Sequence, residues 1–218
     1  KPFRGALSVY RRRGSRVTVA LADPGLLCSP QGWLLTDLST ESEGVWLTGG
    51  WESGDAVSGH PVHPSGCILS GVICLEKSEW ELVLSPADSI LEIHIPPGGG
   101  MTPEVAVDSL RAAVSFFSSQ FPERPFRGLS CLSWVFNPRF GKILPPGANI
   151  RRLQEEVYLF PMPSGRKNGL YFIFGQDEID LATAPRDTSI RRVLIAELEQ
   201  GNPLLTGGMF ILSEDLEH

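Results

Sequence analysis

The 218-residue sequence has little positive charge and no long apolar run. Its formal net charge at pH 7 is −6 and its pI is about 5.3, so the broad basic surface of a nucleic-acid-binding protein is missing. The one basic cluster, residues 11–13 with Arg16, surrounds Gly14 and is typical of a solvated hairpin turn. No apolar segment reaches the length of a membrane span and no signal peptide is visible, so we expect a cytoplasmic protein with neither membrane nor nucleic-acid partners.

Cysteine is also scarce, and its spacing excludes two common uses. The four cysteines contain no C-x-x-C pair, which in a chain this long favours reduced thiols over a disulfide scaffold: Cys28, Cys67, Cys74 and Cys131. His60 and His63 precede two of these cysteines, but the spacing matches no standard zinc motif. We therefore predict no metal site.

Standard nucleotide-binding and hydrolase motifs are missing as well. The sequence has no G-x-x-x-x-G-K-S/T, no G-x-G-x-x-G with an acidic residue about 20 positions later, and no G-x-S-x-G. The usual P-loop, dinucleotide-binding and serine-hydrolase classes are thereby disfavoured. With 42% hydrophobic residues and a mean hydropathy near zero, the chain can still bury a full core.

Alternating apolar residues and turn signals predict a β-rich first half. Residues 5–22 predict a hairpin around Gly14, residues 38–66 predict loops and short strands, and three runs between 67 and 95 predict an antiparallel meander. On the last run, alternation places Glu92 and His94 on one face. The opposite face carries three apolar residues: Leu91, Ile93 and Ile95.

A helical period replaces the alternation after the segment PPGGGMT at 96–102. From Thr102 to Phe121, apolar residues recur at intervals of three and four: Val107, Leu110, Val114, Phe117 and Phe121. Thr102 is the predicted N-cap, and Pro103 and Glu104 suit a first helical turn.

The second half alternates between strand and helix patterns. We predict a β-run at 126–136, a short helix at 137–144, a helix turning into a strand at 148–160, a strand at 169–175, a helix at 185–201 and a closing strand at 207–213. Asp187 or Thr188 is the expected cap of the later helix. Four polar residues suit either a cleft or the wet face of a helix: Asn149, Arg151, Arg152 and Gln154.

The strand, glycine-rich connection and helix start at 91–117 together favour an anion site. The first backbone N–H groups of a helix lack internal partners, and the helix dipole is positive there. Gly98, Gly99 and Gly100 would let a diphosphate approach the backbone without Cβ collisions. The same residues also suit an ordinary turn.

This order of elements resembles the GNAT acyltransferase superfamily. Four segments are most similar to the GNAT-like C-terminal domain of a bacterial acyltransferase family: 91–109, 116–134, 137–154 and 185–201. The resemblance covers about residues 67–212. It implies an α+β fold with a central, mainly antiparallel sheet flanked by helices, and transfer of an acyl group from acyl-CoA to an amine acceptor by direct attack in a ternary complex.

The resemblance also implies site residues. His94 or Glu92 would deprotonate the amine, and Ser133 or water would return a proton to sulfur. Cys131 shares a face with Ser133; it suits packing, or alternatively a nucleophile of a hydrolase. The residues implied in acyl-CoA binding are Ile95, Pro96, Gly98, Gly99, Gly100, Met101, Thr102 and Asn137.

Two departures from the superfamily pattern leave an alternative open. The usual Q/R-x-x-G-x-G/A loop is replaced by PPGGGMT, and Leu144 stands where a tyrosine often protonates the leaving thiolate. A binding or regulatory module that keeps the fold without catalysis is therefore the alternative.

The predicted organisation has three parts. Residues 1–66 form a β-rich part, residues 67–215 a GNAT-like core, and residues 216–218 an expression-tag remnant. Because members of the resembling family carry an additional N-terminal domain and this chain opens on Lys1, we expect such a domain to precede it.

Overall fold

The computed structural model describes residues 1–36, 43–96, 102–164 and 169–216. The strands in these ranges are β1 (Leu7–Arg12), β2 (Thr18–Ala22), β3 (Leu27–Cys28), β4 (Trp46–Leu47), β5 (Gly50–Glu52), β6 (Ala56–Gly59), β7 (Pro61–His63), β8 (Cys67–Ile68), β9 (Ile73–Glu76), β10 (Trp80–Leu84), β11 (Ile90–Glu92), β12 (Gly128–Ser133), β13 (Tyr158–Pro161) and β14 (Gly207–Leu212). The helices are α1 (Pro103–Gln120), α2 (Phe140–Ile143), α3 (Asn149–Glu155), α4 (Leu170–Phe174), α5 (Ser189–Glu199) and α6 (Ser213–Leu216), with a 3₁₀ turn at Trp134–Phe136.

A four-stranded mixed sheet, in the order β11-β12-β14-β13, is central to the candidate site. β11 and β12 are parallel, and the other two pairings are antiparallel. Parallel neighbours need a crossover, and α1 supplies it. The predicted fold class, a mainly antiparallel mixed sheet with helices, is confirmed.

The second large sheet is antiparallel, in the order β10-β1-β2-β7-β8. Its first two strands form the predicted hairpin, which turns at Gly14 with a φ of 70°. One core lies between the two large sheets, where Phe3, Phe160 and Phe210 pack edge-on or tilted around each other. A second core lies on the other face of the four-stranded sheet, under α1, α3 and α6.

The predicted meander at 67–95 is wrong. β8 and β10 lie at opposite edges of the five-stranded sheet, β9 belongs to a small sheet with β5 and β6, and β11 belongs to the four-stranded sheet. Two of these runs pair with strands from the first 66 residues: β9 with β6 and β10 with β1. Local alternation identifies a strand but not its partner, although consecutive strands are neighbours more often than not.

The segment 169–175, predicted as a strand, is the helix α4. Leu170, Ile173 and Phe174 are buried, a helical spacing, whereas Tyr171 and Phe172 are exposed. Gly169 and Gly175 bound the helix with φ values of 87° and 77°, which glycine adopts without a Cβ clash. The predicted short helix at 137–144 is present as α2, and the 3₁₀ turn at Trp134–Phe136 precedes it.

Helix α1 follows its predicted stripe only in its first half. Thr102 is the N-cap, as predicted, and its Oγ1 accepts a hydrogen bond from the Val105 N–H at 3.4 Å. Leu110 and Val114 are buried, but Phe117 and Phe121 are 38% and 39% exposed. A helix of 18 residues spans about 27 Å and six-residue β12 only about 20 Å, so the end of α1 extends past the sheet.

The later helix and the closing strand agree with the sequence. α5 begins after Thr188, whose Oγ1 accepts from the Arg191 N–H at 3.3 Å, and a left-handed Gly201 follows it. α5 packs with α2 and α4 around a third core that includes Phe140, Leu194 and Ile195.

The predicted division at residues 66 and 67 stays a prediction, and the five-stranded sheet takes strands from both sides of that position. Leu216 is buried against the core under α1. None of the helices in the described ranges has the length and apolar character needed to cross a membrane.

Candidate functional site

β11 and β12 pair over a short distance and then part. Their register joins Ile90 to Gly128 and Glu92 to Ser130, and one further bond runs from the Ile93 N–H to the Ser130 carbonyl at 2.8 Å. Beyond it, residues 94–96 make no described backbone hydrogen bond to residues 131–133. β12 itself continues to Ser133, paired there with Gly207 of β14.

The parting leaves backbone groups facing an opening, which we call the gap. Backbone groups along a strand alternate between its two neighbours. Ile93 and Ser130 bond across the pair, so the next inward-facing groups belong to Ile95, just beyond β11, and to Leu132 on β12. Both residues are half-buried. An extended ligand with amide groups can complete these two edges as an added strand would.

Glu92 and His94 lie on the face of β11 that points toward the five-stranded sheet, as the alternation predicted. Leu91, Ile93 and Ile95 pack on the opposite, α1 face. His94 is 81% exposed, and its Nε2 lies 3.9 Å from Glu92 Oε2. His94 is thus open to solvent at the edge of the gap.

Glu92 is more enclosed than His94. Its Oε2 is shielded from solvent and forms an ion pair with the Lys1 ammonium. This contact with Lys1 is the largest cause that lowers the pKa of Glu92, followed by the nearby charges of Lys1, Arg4 and His94, against a desolvation effect that raises it. The carboxylate therefore keeps its negative charge at neutral pH. No sequence pattern indicates the partnership with Lys1, which is 91 positions away.

Cys131 and Ser133 lie on the other face of the sheet from Glu92 and His94. Cys131 is buried in the core under α1, and its pKa is raised to about 11, first by burial and then by the charge of Glu92. Ser133 Oγ accepts a hydrogen bond from the Val135 N–H at 3.3 Å, which caps the 3₁₀ turn. The four predicted catalytic residues therefore flank the gap from two sides.

The N-terminal end of α1, which we call its mouth, holds an ion pair that the sequence did not predict. Glu104, in the first turn, forms an ion pair with Arg152 of α3. The pKa of Glu104 is lowered, first by the hydrogen bond from its own backbone N–H, then by Arg152 and Thr102. A carboxylate thus sits where helix amides and a guanidinium converge, and it remains 61% exposed.

Part of the predicted anion site lies outside the described residues. This applies to Gly98, Gly99, Gly100 and Met101. Of the other predicted binding residues on this segment, Ile95 is half-buried, Pro96 is exposed, and Thr102 caps α1.

A family model described as a GNAT-like C-terminal domain matches residues 28–210 of the chain. The chain belongs to this family. No curated protein matches it significantly.

Two solved structures resemble this GNAT-like domain. An acyltransferase in complex with decanoyl-CoA is 22% identical with a TM-score of 0.51, over 74% of this chain and 45% of its own. An acyltransferase in complex with decanoyl-CoA and teicoplanin is 22% identical with a TM-score of 0.53, over 75% of this chain and 46% of its own. At this identity the likeness shows the fold alone, and the matched region is less than half of either neighbour.

Asn137 and Gln154 of the GNAT-like domain form one buried network. Asn137 is 3% exposed; its Oδ1 accepts from the Arg139 N–H at 2.9 Å, as in a turn. Gln154 donates to the carbonyls of Val135 and Asn137 at 2.8 and 3.1 Å. Gln154 is therefore neither in a cleft nor on a wet face. Its spacing from buried Leu153 and Val157 is the signal that could have placed it.

The histidines and cysteines of the first half of the domain lie apart. His60 is buried beside the Trp46 ring, and His63 Nδ1 contacts Ser65 Oγ at 2.7 Å. Cys67 is half-buried and Cys74 exposed. Within the described ranges, no three His, Cys, Asp or Glu side chains converge as metal ligands would.

Proposed function

We propose that this domain binds acyl-CoA in the gap between β11 and β12 and transfers the acyl group to an amine acceptor. The observation that carries the proposal is the parting of two parallel strands beside the mouth of α1 in a chain of the GNAT-like family. The neighbours that share the fold are acyltransferases in complex with decanoyl-CoA, which supports an acyl-CoA ligand.

The chain's own groups suggest how the parts of acyl-CoA would be held. The amides of the pantetheine arm suit the backbone groups of Ile95 and Leu132, which do not bond to each other's strand in the described part of the chain. The diphosphate suits the mouth of α1, where the helix dipole is positive and Arg152 stands. Gly98 to Gly100 would let it approach the backbone, and Asn137 remains a proposed contact of the arm.

The chemistry we assign is direct attack of the amine nitrogen on the thioester carbonyl. His94 takes the proton of the attacking amine, directly or through water, because it is exposed at the gap edge. Glu92, held ionised, attracts an incoming ammonium toward the gap. The C–S bond then breaks, and Ser133 or water gives a proton to the CoA thiolate. Cys131 is left out of these steps because burial and a raised pKa keep its thiol neutral.

A binding or regulatory module without catalysis is the second candidate. Leu144, at the position of the family's frequent tyrosine, is buried at 4% exposure and has no proton to give. Glu104 already occupies the mouth of α1.

The proposed location is the cytoplasm, and the proposed acceptor site is completed by a separate N-terminal domain. Four free cysteines fit a reducing compartment. The neighbours are more than twice as long as the matched region, which leaves room for such a domain.

The first test is binding of acetyl-, octanoyl- and decanoyl-CoA, measured by thermal shift and calorimetry. A ligand at 100 times its Kd should add about 2.7 kcal/mol of stability. If no acyl-CoA stabilises the protein, the proposed site is wrong.

The second test separates catalysis from binding. His94→Ala should lower turnover with an amine acceptor by roughly 10²–10⁴-fold while leaving acyl-CoA affinity unchanged. His63→Ala is the matched control, since His63 is an exposed histidine bonded to Ser65 away from the gap. Full binding with no acyl transfer to any amine would favour the module, and equal turnover in both variants would remove His94 from the mechanism.

A further inference from the structure

A cleft of about 280 Å³ lies at the end of the four-stranded sheet opposite the gap. One side of α1, the start of β13, the end of β14 and α6 line it. β12 pairs with Leu212, in the cleft wall, at Gly128 and with Gly207, at the gap end, at Ser133. These two pairs are about 17 Å apart along the strand, so the cleft is separate from the proposed acyl-CoA site.

Carboxylates outnumber cations around the cleft. Five charged groups line it or pair with its lining, two cations (Arg11, Arg111) and three carboxylates (Asp108, Glu156, Asp215), which leaves a net charge of −1. The buried Arg11 is fully engaged: its guanidinium donates to Glu214, Asp215 and Thr18. It is therefore not available to hold an anion.

Glu156 is the group best placed to recognise a ligand. It is exposed at the C-terminal end of α3 and has no ion-pair partner in the described part of the chain. The carbonyl end of a helix adds a partial negative charge there, which also favours a cation. Arg111, in contrast, lies 3.4 Å from its own partner Asp108.

Apolar side chains form part of the cleft wall. They are Val107, Val157, Ile211 and Leu216. Tyr158 also lines the cleft, but its hydroxyl already donates to the Val62 carbonyl. Ligand pockets of this kind combine an apolar lining with few polar groups that fix orientation.

We propose that this cleft is a second ligand site that takes an organic cation, with the ammonium at Glu156 and an apolar body against the walls. The site is independent of acyl-CoA binding, since its residues are not those of the gap. Its ligand class follows from the net charge of the lining and from the one carboxylate without a described partner.

The test is an NMR titration of the full chain with three probes that share one ring and a two-carbon arm: phenethylamine, 2-phenylethanol and phenylacetate. Phenethylamine should give saturable shifts at Val157, Ile211 and Leu216, the alcohol weaker ones, and the acid none. Glu156→Gln should weaken phenethylamine binding roughly fivefold, the factor of a charge contact of about 1 kcal/mol.

Glu155→Gln is the matched control, because Glu155 is the neighbouring exposed carboxylate and points to Arg151 rather than into the cleft. It should leave the affinity unchanged. The proposal is overturned if phenethylamine gives no saturable shifts at the cleft, if phenylacetate binds as tightly, or if Glu156→Gln behaves like Glu155→Gln.

Discussion

At the scale of single residues, Cys131 distinguishes the proposed transferase from a thiol hydrolase. Its thiol is buried, and its pKa is raised to about 11, so the reactive thiolate is scarce at neutral pH. Iodoacetamide at pH 7.5 should therefore modify the exposed Cys74 well before Cys131, as measured by peptide mass spectrometry over time. Preferential modification of Cys131 would reopen the hydrolase alternative.

The same pKa shift determines how the stability of the folded state changes with pH. Because the folded-state pKa of Cys131 is raised from 9.0, its neutral thiol favours the folded state fully below pH 9, and this contribution is lost as the pH rises toward 11. Burial also raises the pKa of Cys28 to about 11, so Cys28 changes the stability in the same direction. Cys74→Ser, which changes an exposed thiol, is the control: it should leave the loss of stability at alkaline pH unchanged.

At the scale of secondary-structure elements, the first turn of α1 provides a test of the anion site. Glu104 competes with any bound diphosphate for Arg152 and for the helix amides. Glu104→Gln should raise CoA affinity roughly fivefold at low salt, because it removes a like charge that repels the diphosphate. Arg152→Gln should lower the affinity by a similar factor. Calorimetric titration with CoA measures both changes in affinity.

Two controls make this result specific. Pantetheine has no phosphate, so neither variant should change its affinity. Glu123→Gln removes an exposed carboxylate beyond the other end of α1 and should change nothing. If Glu104→Gln lowers CoA affinity, the carboxylate supports the site instead of competing for it. Added salt should shrink every difference.

The secondary-structure elements also show which parts of the fold could be predicted from the sequence. α1 and α5 were predictable because their caps, Thr102 and Thr188, and their spacing act within a few residues. The strands were recognisable, but their partners were not, because pairings such as Val9 with Leu84 depend on the whole core. The short apolar run at 170–174 suits strand or helix equally, and only its flanking glycines favour the helix.

For the candidate site, the sequence predicted the face shared by Glu92 and His94 and the cap at Thr102. The residue pattern alone could not predict the parting of β11 from β12, since an unmade hydrogen bond leaves no signal in it. Nor could it predict that Lys1 pairs with Glu92, or Arg152 with Glu104, across long separations. These contacts can be identified only once the fold is known.

At the scale of the whole molecule, the first 66 residues supply more than half of the buried residues in the core between the sheets. Phe3, Leu7 and Val9 pack against Phe160 and Phe210 of the four-stranded sheet. Without them, β10 loses its partner β1, and β8 loses β7. The sequence-based division instead makes residues 67–215 a core of its own. Expressing residues 67–216 and residues 1–216 separately, and comparing their folding, decides whether the core is shared or residues 67–215 form a core of their own.

We expect the shorter chain not to fold, because exposing Phe160, Phe210 and Leu84 forfeits roughly 1.5–3 kcal/mol for each, against a total stability of about 5–15 kcal/mol. It should lack a cooperative transition by circular dichroism, whereas 1–216 should unfold in one step. Leu84→Ala in 1–216 is the matched probe: it should lower the midpoint of that single transition by circular dichroism and by tryptophan fluorescence alike. A folded 67–216, or two separate transitions in 1–216, would instead make residues 67–215 an autonomous domain that residues 1–66 merely accompany.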